Sequence, residues 1–187
     1  MPNLLRSFRH RNFALFFSGQ IVSLIGTWMQ SVAESWLVYR LTKSSALLGT
    51  VAFAALVPSF VLSPFGGLVA DRFDKRRVLV LTQSIAMTLA LILSALTITG
   101  VVRVWYLITL ATLLGIVNAF DIPTRQAFVV EMVGREDLTN AIALNSMMFN
   151  GARVVGPAIA GIVVAAIGEG WCFFANAISY IAVIAGL

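Results

Sequence analysis

Charge is what this sequence has least of. Of 187 residues, eight are acidic and thirteen basic, 11% in all, against 59% hydrophobic and a mean hydropathy of +0.93. A soluble domain carries about 25% charged residues, so these cannot cover a globular surface, and lipid is the natural solvent for the rest. Cysteine is almost missing: Cys172 stands alone, which excludes an intramolecular disulfide. Histidine is almost missing too, with His10 alone near the N-terminus. No metal-ligand cluster and no Walker-type phosphate loop occurs. Nothing therefore indicates an enzyme, a bound cofactor or energy drawn from ATP.

What the sequence has is long uncharged runs. They extend from Asn12 to Ala33, Ser44 to Ala70, Val78 to Val102, Val104 to Phe120, Leu138 to Gly168 (broken only by Arg153) and Gly170 to Leu187. A membrane-spanning helix needs about 20 apolar residues, and in lipid the backbone must satisfy itself within helices or a closed barrel. Barrel strands would alternate polar and apolar over roughly ten residues, and these runs do not. The sequence therefore predicts an all-α membrane protein with one domain over 1–187 and six transmembrane helices at about 12–39, 46–70, 78–99, 104–120, 138–167 and 171–187. The first run is too long for a signal-peptide core and has no obvious cleavage site.

The bases sit at the ends of these runs. With the N-terminus inside, Arg6, Arg9, Arg11, Arg72, Lys75, Arg76, Arg77, Arg125 and Arg135 fall on the cytoplasmic side, and only Arg40, Lys43 and Arg103 outside. That asymmetry follows the positive-inside rule and argues against nucleic acid as the partner of a net charge of +5. The longest polar stretch, Asp121 to Asp137, is expected to be a cytoplasmic loop holding a short surface helix. A chain stopping at Leu187, with no basic flank after the sixth run, reads as the first half of a longer protein, or else as a natural six-helix protein.

Between the second and third runs lies GGLVADRFDKRR, from Gly66 to Arg77. It resembles motif A of the major facilitator superfamily: Gly67, Asp71, Arg72, Lys75, Arg76 and Arg77 match, and Asp74 stands where a second glycine is usual. A DRFDRR-like turn is common in the efflux subgroup of enterobactin and macrolide exporters. Thr27 to Ser45, Asp121 to Gln126 and Asn140 to Gly161 also look like that subgroup, so the resemblance covers the whole chain. It implies the N-terminal half of a twelve-helix fold, each half built of 3+3 inverted repeats. It also implies a gate, in which Asp71 meets a helix of the second half and locks the outward-open state. Gly156, Pro157 and Gly161 resemble the exporter motif of helix 5, with Ala152 and Ala160 where glycines are usual. Ala111 stands roughly where many proton antiporters carry a membrane arginine.

The remaining candidates come from the residues themselves. Arg153 lies within a membrane span, where a central arginine costs about 2.5–3.5 kcal/mol. It needs an acid, a cavity or an anionic substrate, and Glu34 is a candidate partner. Asp121 pairs with Arg77 or Arg125 and supports the gate, or carries a proton; Glu34, the only other acid near the hydrocarbon, pairs locally or carries one. Gln20, Gln30, Asn118, Asn145 and Asn150 turn inward to hydrogen-bond; with Phe16, Met147 and Met148 they either line a substrate cavity or simply pack. Gly151, Gly156 and Gly161 permit close helix approach, and Pro157 removes one helical hydrogen bond. The expected function is export of a small amphipathic molecule, a drug or siderophore, across the bacterial inner membrane by proton antiport with alternating access. The expected partners are the bilayer, the substrate, and a C-terminal six-helix half or a second copy. A non-transporting assembly module and a lipid-moving member of the same fold are the alternatives.

Overall fold

The computed structural model describes residues 11–187; the expected basic tail with Arg6, Arg9 and His10 lies outside them. Six long apolar helices, each able to cross a membrane, account for almost all of the described chain: α1 (Arg11–Thr42), α2 (Ser45–Arg72), α3 (Lys75–Ile98), α4 (Val104–Gly134), α5 (Asp137–Ile167) and α6 (Glu169–Gly186). No strand occurs among the described residues.

The turns follow local chemistry. Ser44 caps α2 by accepting from the Leu47 N–H, and Asp74 caps α3 by accepting from the Arg77 N–H at 2.8 Å, each satisfying an otherwise orphaned helix donor. Because Asp74 caps, α3 begins at Lys75 and not near Val78. The basic cluster is thus the first helical turn, and the link between α2 and α3 shrinks to Phe73 and Asp74.

The expected loop from Asp121 to Asp137 does not form. Helix α4 continues past Phe120 to Gly134, whose φ of 70° and ψ of 176° interrupt the helix before α5; glycine adopts this conformation without steric cost. The physical reason is that one side of this stretch packs on protein. Asp121, Thr124 and Val133 are buried, and the Phe128 ring packs edge-on against Phe16 of α1. One polar face and one apolar face at helical spacing make a continuous helix.

α1 is the central helix. It buries 56% of its membrane window and α6 50%, whereas α5 buries 17% and α2 only 6%. The last two are therefore peripheral, with most of their apolar surface left for lipid or another protein. One core cluster joins Leu37, Val38, Leu93, Leu107 and Phe173 toward the α1–α2 turn. A second joins Phe13, Phe17, Leu144 and Met148 toward the opposite end. At the α1–α2 end, Arg40 grips the buried Glu169 in a bidentate pair, Nε–Oε1 2.8 Å and Nη2–Oε2 3.1 Å, tying the end of α1 to the start of α6.

Candidate functional site

The charged turn lies at one end of the bundle. Asp71 and Arg72 occupy the last turn of α2, both exposed, and Asp71 makes no ion pair with any described residue. Lys75 reaches Glu131 of α4 at 3.5 Å. Arg76 and Arg77 are exposed beside an open groove of about 650 Å³ shared with Asp74 and Ser84. Gly67 has open space where a side chain would start. It is Gly66 that packs, its Cα against the Ala119 carbonyl and the Pro123 ring of α4.

Asp121 belongs to a different constellation. It is buried, and its Oδ1 accepts from Thr82 Oγ1 and Gln83 Nε2, both at 2.8 Å, while Oδ2 meets Arg125 Nη2 at 3.1 Å. Of the two partners considered for it, Arg125 is the one engaged. Each carboxylate oxygen is occupied, which ties α4 to α3 and suits a fixed ion pair. Asp121 and Arg125 are thus brought together, and neither makes an ion pair with Asp71.

The polar residues of α1 divide between two faces. Gln30 accepts from Asn176 Nδ2 of α6 at 2.7 Å; Ser179 in turn donates to the Asn176 carbonyl at 2.7 Å. One turn further along α1, Glu34 shares with Gln30 a small enclosed space of about 10 Å³, walled by apolar residues of α3 and α4 including Ala86, Leu93 and Ala111. That is room for about one water. Ala111, at the position of the antiporter arginine, is therefore in the wall facing Glu34. Gln20 is buried, with its Oε1 unpartnered.

Glu34 does not pair with Arg153. At about 100° per residue, positions 28, 31, 35 and 39 of α1 share one side and positions 30 and 34 the other. Arg153 meets the first side, its guanidinium 5.5 Å from the centroid of the Trp28 ring. Around it lies a groove of about 510 Å³, lined by Trp28, Ser31, Trp36, Tyr39 and Pro157 among others.

The polar candidates do not converge on one enclosed space within these six helices. Asn145 and Asn150 are exposed on α5, where Asn150 Nδ2 donates to the Ser146 carbonyl at 2.8 Å. Asn118 is half-buried on α4. Phe16 and Met148 are buried and Met147 is 67% exposed, so the two methionines face opposite ways. The α5 glycines are also separated. Gly156 is in close contact, and a Cβ there would lie 2.6 Å from Trp28 Cβ and 2.9 Å from the Ile25 carbonyl, whereas Gly151 and Gly161 face open space. The packing stripe is Ala152, Gly156 and Ala160, all buried at four-residue spacing. Asn176, Thr82 and Gln83 are polar partners that were not among the sequence candidates; the signal of Asn176 was an amide in the middle of an apolar run. Among the described residues no group of His, Cys, Asp and Glu side chains is arranged to hold a metal.

Residues 4–187 match the family described as transmembrane secretion effector, a branch of the major facilitators. The chain belongs to the major facilitator superfamily. It is 34% identical over 166 residues to the staphyloferrin A transporter of Staphylococcus aureus, covering 88% of this chain and 42% of that protein. It is 26% identical over 164 residues to the enterobactin exporter of Shigella boydii, covering 87% and 39%, and 23% identical over 150 residues to macrolide efflux protein A of Streptococcus pyogenes, covering 80% and 37%. This major facilitator chain therefore spans about two fifths of the length of the curated relatives it matches, and its six helices make it a multi-pass membrane protein of a transporter family, not of an enzyme family. No solved structure matches it.

Proposed function

We propose that this chain forms the N-terminal half of a proton-driven exporter of small amphipathic molecules in the bacterial cytoplasmic membrane, with its N-terminus in the cytoplasm. Relatives named for staphyloferrin A and enterobactin support a siderophore as cargo, and one named for macrolide efflux supports a drug. A second six-helix unit completes the transporter, and the two rock about a midplane cavity.

The observation that carries the proton part is Glu34. It is a carboxyl group inside a membrane bundle, beside Gln30, in an apolar enclosed space with no described cation paired to it. An ionisable group at such a place is a functional candidate by default, and here it is suited to load and release a proton as the two halves rock. The charged turn acts as the gate. Asp71, at the end of α2, meets the positive N-terminus of a helix from the second unit, with Arg72, Lys75, Arg76 and Arg77 in the same charged turn.

The test is gradient-driven transport by the complete protein in sealed vesicles. An imposed pH gradient accelerates movement of a fluorescent amphipath by the wild type. Glu34→Gln retains substrate exchange but loses the response to the gradient. Equal wild-type rates with and without the gradient would sink proton antiport.

A further inference from the structure

Arg153 lies near the middle of α5, sixteen residues after Asp137 and fourteen before Ile167, or roughly 24 Å and 21 Å along the helix. An arginine at that depth needs an anion or water, and this one is exposed. Every acid of the chain is elsewhere. Asp71, Asp74, Asp121, Glu131 and Asp137 gather at one end of the bundle, and Glu136 is seventeen residues before Arg153 in sequence. Glu169 at the other end is taken by Arg40, and Glu34 points to the opposite side of α1. The sole charge-related contact of Arg153 among the described residues is the face of Trp28, 5.5 Å away. Stacking on that face holds the guanidinium and leaves its N–H fork free for an oxygen anion.

The rest of the groove complements such a ligand. Trp28, Trp36 and Tyr39 supply an apolar aromatic wall, and Ser31 supplies a hydroxyl that makes no hydrogen bond to a described residue. A volume of about 510 Å³ lies within the range of small-molecule sites.

We infer that the Arg153 groove is a binding subsite for a small amphipath bearing a carboxylate, the anion on Arg153 and the apolar body against Trp28, Trp36 and Tyr39. This rests on the export reading and narrows its cargo to anions at this site. A lipid headgroup is the wrong occupant by depth, because its charge lies at the membrane surface and Arg153 does not.

Binding of pyrenebutyrate to the complete purified protein in nanodiscs, read by energy transfer from tryptophan, tests this against its neutral methyl ester and the cationic pyrenebutylamine. The wild type binds the carboxylate about tenfold tighter than either, the size of a charge-assisted hydrogen bond. Arg153→Gln removes the preference and Arg153→Lys keeps part of it. If Arg153→Gln does not fold, Ser31→Ala weakens the carboxylate about threefold and leaves the ester unchanged. No preference in the wild type, as when an acid of another segment already occupies Arg153, overturns the proposal. So does a preference surviving in Arg153→Gln, or one that phosphatidylglycerol in the disc abolishes. The vesicle assay separates the two readings: wild-type protein that shows the preference but moves no amphipath under a proton gradient keeps the anion site and loses the export function.

Discussion

Asn176 of α6 donates to Gln30 of α1 at 2.7 Å across the buried centre of the bundle. Both residues are almost fully buried, Asn176 at 1% exposure and Gln30 at 6%, so bulk water does not compete for the bond. The bond fixes the rotation of α1 against α6, and with it the direction in which Glu34, one turn along, enters its enclosed space.

That coupling is measurable. Asn176→Leu leaves the Gln30 amide without its donor and is expected to cost about 1–2 kcal/mol in a thermal or denaturant melt. Gln30→Leu costs a similar amount. The double variant is less damaged than the sum, with a coupling of about 0.6–1.7 kcal/mol as found for interhelical hydrogen bonds in membranes. Strict additivity would mean that the bond carries no net energy.

The two acids of the charged region should separate stability from transport. Asp71 pairs with no described residue, so Asp71→Asn is expected to change the melt of this segment by less than about 0.5 kcal/mol while reducing transport by the complete protein several-fold. Asp121→Asn strips charge from a buried site shared with Arg125, Thr82 and Gln83 and is expected to destabilise by about 3–5 kcal/mol. Unchanged transport in Asp71→Asn would remove that residue from the gate.

The α5 glycines give a paired test of packing. Gly156→Leu forces a side chain into Trp28 and the Ile25 carbonyl and is expected to cost about 1–3 kcal/mol or more. Gly151→Ala enters open space and gains helix propensity, so it is neutral or stabilising by up to about 1 kcal/mol. Equal effects of the two in a detergent melt would show that α5 does not pack on α1 through Ala152, Gly156 and Ala160.

The six spans were legible because a bilayer imposes a length on any apolar run, and the turns because charge collects between those runs; the Asp74 cap that starts α3 at Lys75 was not. The continuation of α4 was not legible. Asp121, Arg125 and Glu131 look like a solvated loop in one dimension, yet Asp121 and Arg125 are an i,i+4 pair turned onto α3 and Glu131 meets Lys75. The expected Arg153–Glu34 pair failed because Arg153 packs on the Trp28 side of α1, and Glu34, six residues on, is turned about 120° away from it. Asn176 was hidden differently, since a single amide in an apolar run gives no direction until its partner on another helix is known.

The same burial pattern makes the orientation easy to test. Cys172 is the only cysteine and has 0% exposure, so it is expected to stay silent toward a membrane-impermeant maleimide and need not be removed. Lys75→Cys and Arg40→Cys then place single reactive thiols at opposite ends of the bundle. Lys75 has a 21% exposed side chain and Arg40 a 51% exposed one. With the bases gathered on the cytoplasmic side, Arg40→Cys is labelled in intact cells and Lys75→Cys only after the membrane is opened or everted. The reverse pattern would invert the protein and put the Asp71 gate on the outer face, where it could not lock the outward-open state.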